Sequence, residues 1–311
     1  MTLNILFAAT EARWPQYEAP LHRALEAEGI TDYRLATEMP AEEVDYIVYA
    51  PNSDLQDFTP YTRTKAVLNL WAGVEGIVGN RTLTQPLCRM VDSGLKEGMV
   101  EWVTGQVLRH HLGIDEVLAR QSGEWRPSVP PLARNRPVGV LGLGELGAAC
   151  AGALAALNFP VAGWSRTEKH IPGITCHHGA EGLKTVLAGS QIVVLLLPLT
   201  GATENILDAD ALSRLPEGAV IVNPGRGALI EDEALLAGLD AGHLGHATLD
   251  VFRQEPLPAD HPFWRHPKIT VSPHVASETR PETAAEVVAR NIRRGEAGEP
   301  FLHLVDRGAG Y

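Results

Sequence analysis

Short apolar runs of the strand type alternate with helical patterns along the whole chain, and this alternation restricts the fold more than any other feature. Strand–helix–strand units bury both faces of a parallel sheet, so the expected class is α/β. In the first third, residues 3–9, 33–36, 46–50 and 66–70 read as strands, with an amphipathic helix over 17–28 closed by Gly29. A long helical stretch, 94–120, then leads into a Pro-rich loop, 123–131, where a domain crossover belongs. Beyond it come strands at 138–141, 161–164, 192–197, 219–223, 247–251 and 269–272, with helices at 145–157, 181–188 and 232–241. That order predicts a nucleotide-binding sheet. A last helix, 281–295, and the tail 299–311 follow it and are free to return to the first domain.

With 311 residues the chain can fill two hydrophobic cores. A net charge of -12 argues against nucleic acid and anionic membranes, whose partners carry a basic field. The apolar start of the chain has no preceding Lys or Arg and reads as a first strand. The longest apolar run, 192–199, falls well short of the roughly 20 residues of a membrane span. Cys88, Cys150 and Cys176 are an odd, scattered set, unlike a disulfide framework or a zinc site, and a cytoplasmic location is the simpler expectation.

The strongest local signal is the run from Val138 through Gly142, Gly144 and Gly147, a GxGxxG between a predicted strand and a predicted helix. The first glycine permits a tight turn, the second lets backbone approach a pyrophosphate, and the third allows close helix packing. Gly144, Glu145 and Leu146 open the helix, whose N–H groups face the phosphates. A dinucleotide site usually places a carboxylate about 20 residues further on, at the ribose. Eighteen residues past Gly147 stands Ser165, followed by Arg166 and Thr167. A guanidinium between two hydroxyls suits a 2′-phosphate, so NADPH (NADP) is expected over NADH.

Three further segments follow predicted strands: Arg226 in an NPGRG stretch, Glu255 in DVFRQEP, and His274 in SPHVA. The carboxyl ends of parallel strands form the ligand crevice, so these distant residues are expected to meet. Reduction of a 2-oxo acid requires a carboxylate anchor, a proton for the carbonyl oxygen and a placed hydride donor. Arg226 offers paired planar donors, His274 exchanges a proton near neutral pH, and Glu255 can orient the imidazole. Asp250 is the candidate for the nicotinamide carboxamide.

These motifs, with the Leu249–Pro258 stretch LDVFRQEPLP, the C-terminal VDRGAGY and the segment Asn69-Leu-Trp-Ala-Gly-Val74, resemble the D-isomer-specific 2-hydroxyacid dehydrogenase family, in particular its glyoxylate/hydroxypyruvate reductase A group. The resemblance implies a Rossmann domain at 101–282 and a smaller, discontinuous flavodoxin-like substrate domain made of 1–100 and 283–311. It implies Arg226, Glu255 and His274 as the catalytic set and closure of the two domains around the reactants. Ala72, Gly73 and Val74 are expected to hold the substrate carboxylate with Arg226 and His274, and Pro198 joins the cofactor-binding set. The substrate would be a small 2-oxo acid, glyoxylate or hydroxypyruvate. A homodimer is expected, with the Trp125 loop near the partner's active site.

Two departures bear on the pocket: Trp71 stands where the group often has a small residue, and Tyr49-Ala-Pro replaces a Trp-containing segment. Arg89 matches a position near the substrate. The pairs His110-His111, His177-His178 and His243/His246 lack the context of a metal site, so they read as solvated and no metal is expected. Cys150 reads as a packing residue. Rival readings are a cofactor-sensing binding protein of the same fold, or a relative with NAD preference.

Overall fold

The structure, a computed structural model, describes residues 2–308 and 310. Two compact units divide the chain: Met1–Leu95 with Glu278–Tyr311, and Lys96–Ser277. In the first unit, β1 (Leu3–Ala8), β2 (Tyr33–Ala36), β3 (Tyr46–Tyr49), β4 (Ala66–Asn69) and β5 (Leu87–Cys88) form a parallel sheet in the order β2-β1-β3-β4-β5. This is the flavodoxin-like order, in which the winding reverses beside β1. Every residue of β3 and β4 is buried, as a strand covered on both faces requires. On one face α1 (Trp14–Ala27) brings Leu21 and Leu25, and α8 (Pro281–Glu296) brings Ala285, Val288 and Ile292, onto Ile5, Phe7, Val48 and Leu68.

The second unit holds β6 (Val138–Leu141), β7 (Val161–Ser165), β8 (Thr175–His178), β9 (Ile192–Leu195), β10 (Ala219–Asn223), β11 (Leu244–Leu249) and β12 (Ile269–Val271). They pair in parallel in the order β12-β11-β10-β9-β6-β7-β8. The winding reverses between β6 and β9, which marks the carboxyl ends of those strands as the crevice for a dinucleotide. Helices α4 (Glu145–Ala156), α5 (Gly179–Gly189), α6 (Ala209–Ser213) and α7 (Asp232–Asp240) connect them.

Three expectations need correction. The helix expected over 94–120 is two, α2 (Ser93–Leu112) and α3 (Ile114–Ala119), because Gly113 takes a left-handed φ of 65° and ends the first. Strand β8 has the sequence TCHH with no fully buried residue, so it carries no apolar pattern to betray it. Strand β11 starts at Leu244 rather than 247; Gly245, which looks like a turn residue, is instead a close-packing position where a Cβ would lie 2.5 Å from the Gly218 carbonyl oxygen.

Candidate active site

Backbone crowding shapes the glycine loop. Gly142 leaves β6 with φ +106°, and a Cβ there would sit 2.4 Å from the Leu196 carbonyl oxygen. A Cβ at Gly147 would lie 1.7 Å from the Gly142 carbonyl oxygen, so α4 can start this close to β6 only without a side chain. Gly144 differs: nothing lies within 4 Å of its missing Cβ, and Gly144 and Glu145 are exposed at the N-terminus of α4. Leu146 is half-buried and Gly147 buried behind them. An open glycine at the first turn of a 12-residue helix, beside a winding reversal, fits the pyrophosphate of a dinucleotide.

At the end of β7, Ser165 is buried and its hydroxyl donates to the Thr167 carbonyl oxygen at 2.7 Å, while Arg166 and Thr167 are exposed. Ser165 thus shapes the turn that displays the guanidinium. Pro198, half-buried beyond β9, accepts through its carbonyl a 2.7 Å hydrogen bond from Thr203 Oγ1.

At the carboxyl ends of β10, β11 and β12, the loops are organised by side chains. Asn223, 1% exposed, folds over the loop after β10: its Nδ2 donates to the Arg226 carbonyl at 2.9 Å and its Oδ1 accepts from Gly225 N at 3.0 Å. The Arg226 Nη1 donates to the Gly225 carbonyl at 2.6 Å. After β11 the carboxylate of Asp250, fully buried, accepts from Ser272 Oγ at 2.6 Å, Val275 N at 3.0 Å and Ala276 N at 2.9 Å. Its carbonyl accepts from His274 N at 2.8 Å. Asp250 therefore clamps the loop on both sides of His274, which adopts φ +54°, a costly conformation for a residue with a Cβ.

The structure brings His274 and Glu255 together: Nδ1 lies 2.6 Å from Oε2. The other oxygen of Glu255 accepts from Phe252 N at 2.8 Å, which fixes the carboxylate. With Nδ1 engaged, Nε2 is the ring atom left to exchange a proton with a ligand, and the His274 side chain is about half exposed. The Arg226 loop abuts the same region, since a Cβ on Gly227 would fall 2.0 Å from the Phe252 carbonyl carbon.

In the first unit, Ala72 and Gly73 are half-buried after β4, and Val74 is in the core. Asn69 Nδ2 donates to the carbonyls of Trp71 (2.9 Å) and Gly73 (3.1 Å), as Asn223 does for its own loop. Sequence reasoning missed the loop-shaping roles of Asn69 and Asn223. The available signal was a polar residue ending an otherwise apolar strand. Tyr49, expected to shape the pocket, lies in the core with its ring edge-on to Phe58, 5.3 Å between centroids, and its hydroxyl on the Leu55 carbonyl. Trp71 is exposed, and Arg89 is half-buried with its N–H donating to the His303 carbonyl at 3.0 Å.

Residues 104–276 match the D-isomer specific 2-hydroxyacid dehydrogenase NAD binding domain. The chain belongs to this family. It is thereby an NAD(P)-dependent oxidoreductase. The dehydrogenase is 37% identical to a glyoxylate/hydroxypyruvate reductase A of Yersinia enterocolitica, over 99% of this chain and 100% of that one. Among solved structures it is similar to a D-isomer specific 2-hydroxyacid dehydrogenase from Xanthobacter autotrophicus in complex with NADPH and MES, at 39% identity and a TM-score of 0.93 over 100% of both chains. An NADPH-dependent glyoxylate/hydroxypyruvate reductase from Sinorhizobium meliloti, in complex with NADP and sulfate, matches at 33% identity and TM-score 0.85 over 100% of this chain and 99% of that one.

Elsewhere in the dehydrogenase, Cys150 is buried and its thiol is pushed up to about 12 by burial, which suits packing and not nucleophilic chemistry. The expectation of solvated histidines fails for His110, His111 and His246, and His177 and His243 are half-buried as well. His111 is buried edge-on against Phe159, and half-buried His110 and His246 face each other with ring centroids 4.9 Å apart. Their hydrogen bonds to Thr248 and Thr270 (2.8 and 2.9 Å) explain how polar rings settle beside the sheet. Among the described residues no group of three His, Cys, Asp or Glu is placed to hold a metal ion, and no helix is long and apolar enough to cross a membrane.

Proposed function

We propose that this dehydrogenase reduces a small 2-oxo acid, glyoxylate or hydroxypyruvate, to the D-2-hydroxy acid with NADPH. The observation that carries the reading is the 2.6 Å pairing of Glu255 with Nδ1 of a half-exposed His274. Glu255 orients the imidazole through Nδ1 and keeps Nε2 facing the ligand, so His274 delivers the proton to the carbonyl oxygen. Arg226 clamps the substrate carboxylate, and its charge polarises the adjacent carbonyl. Ala72, Gly73 and Val74 of the first unit are the proposed backbone N–H donors for a substrate carboxylate.

When bound, reduced nicotinamide supplies the hydride. Gly142, Gly144, Glu145, Leu146 and Gly147 take the pyrophosphate, and Arg166 with Thr167 takes the 2′-phosphate, the Ser165 hydroxyl bracing their turn. Pro198 lies at the nicotinamide end, and Asp250, fully buried, serves that end by holding the His274 loop through three donors.

We also propose a homodimer in the cytoplasm. Leu118, Trp125, Val129 and Leu132 are more than half exposed in one stretch of chain, with Trp125 at 96%, and a second copy would cover them and receive the Trp125 loop near its active site. The substrate domain and nucleotide domain are read as the discontinuous and continuous segments respectively, meeting in sequence near residues 100 and 282. A panel of 2-oxo acids assayed with NADPH and NADH, on a preparation sized by sedimentation velocity, tests the proposal. We expect a dimer, with highest kcat/KM for glyoxylate or hydroxypyruvate with NADPH. An NADH preference, or a fully active monomer, defeats the corresponding part.

A further inference from the structure

The loop that carries Glu255 follows β11 and has no regular secondary structure. Phe252 and Leu257 pack it against the core, whereas Arg253 and Glu255 turn polar groups away from that core. Glu255 must be held within tenths of an ångström if it is to orient His274.

Arg253 ties this loop to its neighbours. Its Nη2 donates to Asn205 Oδ1 and to the Ile230 carbonyl, and its Nε pairs with Asp232 Oδ1 at 3.4 Å. Ile230 and Asp232 lie on the segment that follows Arg226, and Asn205 lies on a second segment paired with it. Asn205 N donates to the Ala228 carbonyl at 2.8 Å, Leu207 N to the Leu229 carbonyl at 3.0 Å, and Glu231 N to the Leu207 carbonyl at 3.1 Å. Both members of the ion pair are about 30% exposed. Burial raises the Asp232 carboxyl from its ordinary value, and Arg253 opposes that rise, as His261 does more weakly.

We infer that Arg253 is a positioning residue: its guanidinium ties the Glu255 loop to the segment that follows Arg226, and so sets the Glu255 carboxylate against Nδ1 of His274. The inference rests on the catalytic reading of Glu255 and His274 given above. One planar fork reaches three acceptors on two other segments, which an ammonium on a flexible stem cannot copy. Charge alone therefore does not suffice.

The test is Arg253→Ala and Arg253→Lys, each in the wild-type and Glu255→Gln backgrounds. Two readouts are followed: the NMR signal of the His274 Nδ1–H proton on the full chain, whose downfield position reports its hydrogen bond to Glu255, and kcat for glyoxylate reduction with NADPH. A short hydrogen bond to a carboxylate is stronger than one to a neutral acceptor. We expect Glu255→Gln to move that signal upfield, and both Arg253 variants to move it part of the way while lowering kcat about tenfold. In the Glu255→Gln background the Arg253 changes should add less than threefold. Full activity and an unmoved signal in a folded Arg253→Lys variant, or effects that multiply in the double variant, overturn the inference. Should wild type reduce no 2-oxo acid, the functional reading fails separately, because the signal still reports whether Arg253 places Glu255. If Arg253→Ala does not fold, Asn205→Ala removes one acceptor and should move the same signal more weakly.

Discussion

Two regions of the second unit, both at strand ends, are built by opposite means. The glycine loop is set by what backbone cannot tolerate: a Cβ at Gly142 or Gly147 would fall within 2.4 Å of a carbonyl oxygen. The loops bearing Arg226, Glu255 and His274 are set by what side chains reach, with Asn223 and Asp250 folding over the chain that follows each strand. The first construction breaks when atoms are added and the second when they are removed. The glycine loop therefore tolerates changes around its glycines, whereas in the loops proposed to be catalytic single truncations should carry large costs.

The largest test of that contrast is His274→Ala. Loss of a general acid is typically worth about 10²- to 10⁴-fold, and we expect kcat to fall in that range while NADPH binding, followed by fluorescence titration, stays within twofold or so. A drop of less than tenfold would remove His274 from the mechanism, and a parallel loss of cofactor binding would erase the proposed separation between the regions. Arg226→Ala should behave alike.

Arg166→Ala sharpens the comparison from the other side, because it removes the side chain proposed to discriminate between the cofactors. A charge-assisted hydrogen bond contributes about 1.5–3 kcal/mol, so kcat/KM with NADPH should fall roughly ten- to a hundredfold. NADH has no 2′-phosphate and should be little affected. If the NADPH/NADH ratio of kcat/KM hardly moves, Arg166 is only a surface charge.

The smallest effect concerns pH. Where side chains build the structure, titration should disturb it, and His110 and His246 lie against β11 and β12. Burial pushes His110 down to about 4, with His246, Arg109 and Arg136 adding to the effect and Asp115 opposing it; burial, then Arg109, lowers His246. An unfolded histidine titrates near 6.5, so the unfolded chain takes up these protons first as pH falls. Their stabilising contribution is complete above about pH 6.5 and is lost progressively toward pH 4. Urea unfolding at pH 7.5 and 5 should show wild type losing about 1 kcal/mol more than His110→Gln, a figure discounted for partial exposure. Equal losses would mean that the pair is not what acid attacks.

The same contrast explains what could be read from sequence. The parallel sheets were legible because continuous apolar strands such as Tyr46–Tyr49 and Ile192–Leu195 leave a plain trace. The glycine loop was legible because sterics permit one residue type. Edge strand β8 left no such trace, and Gly245 disguised the start of β11. The pairing of Glu255 with His274 was anticipated from chemical need, but the clamp by Asp250 was not: the sequence suggests a ligand contact, and the structure shows a carboxylate already engaged by three donors. Tyr49 was misplaced because an aromatic at a strand end serves a core and a pocket equally well by pattern. The partners of Arg253 lie 21, 23 and 48 residues away, separations at which periodicity carries no information.

The two segments of the first unit leave a mark on biosynthesis. A ribosome releases β1 to β5 early, but the face of that sheet formed by Ile5, Phe7, Tyr46, Val48 and Leu68 shares its core with Ala285, Val288 and Ile292 of α8. Some 180 residues of the continuous second unit emerge in between, and at roughly 5–20 residues per second that is an interval of about 10 to 40 seconds. Throughout it, an apolar sheet face waits for its second helix while the later-made unit has all its strands in hand. The order of synthesis and the order of completion are thus inverted, and the nascent first unit is the stage at which a chaperone that binds exposed apolar surface has most to hold.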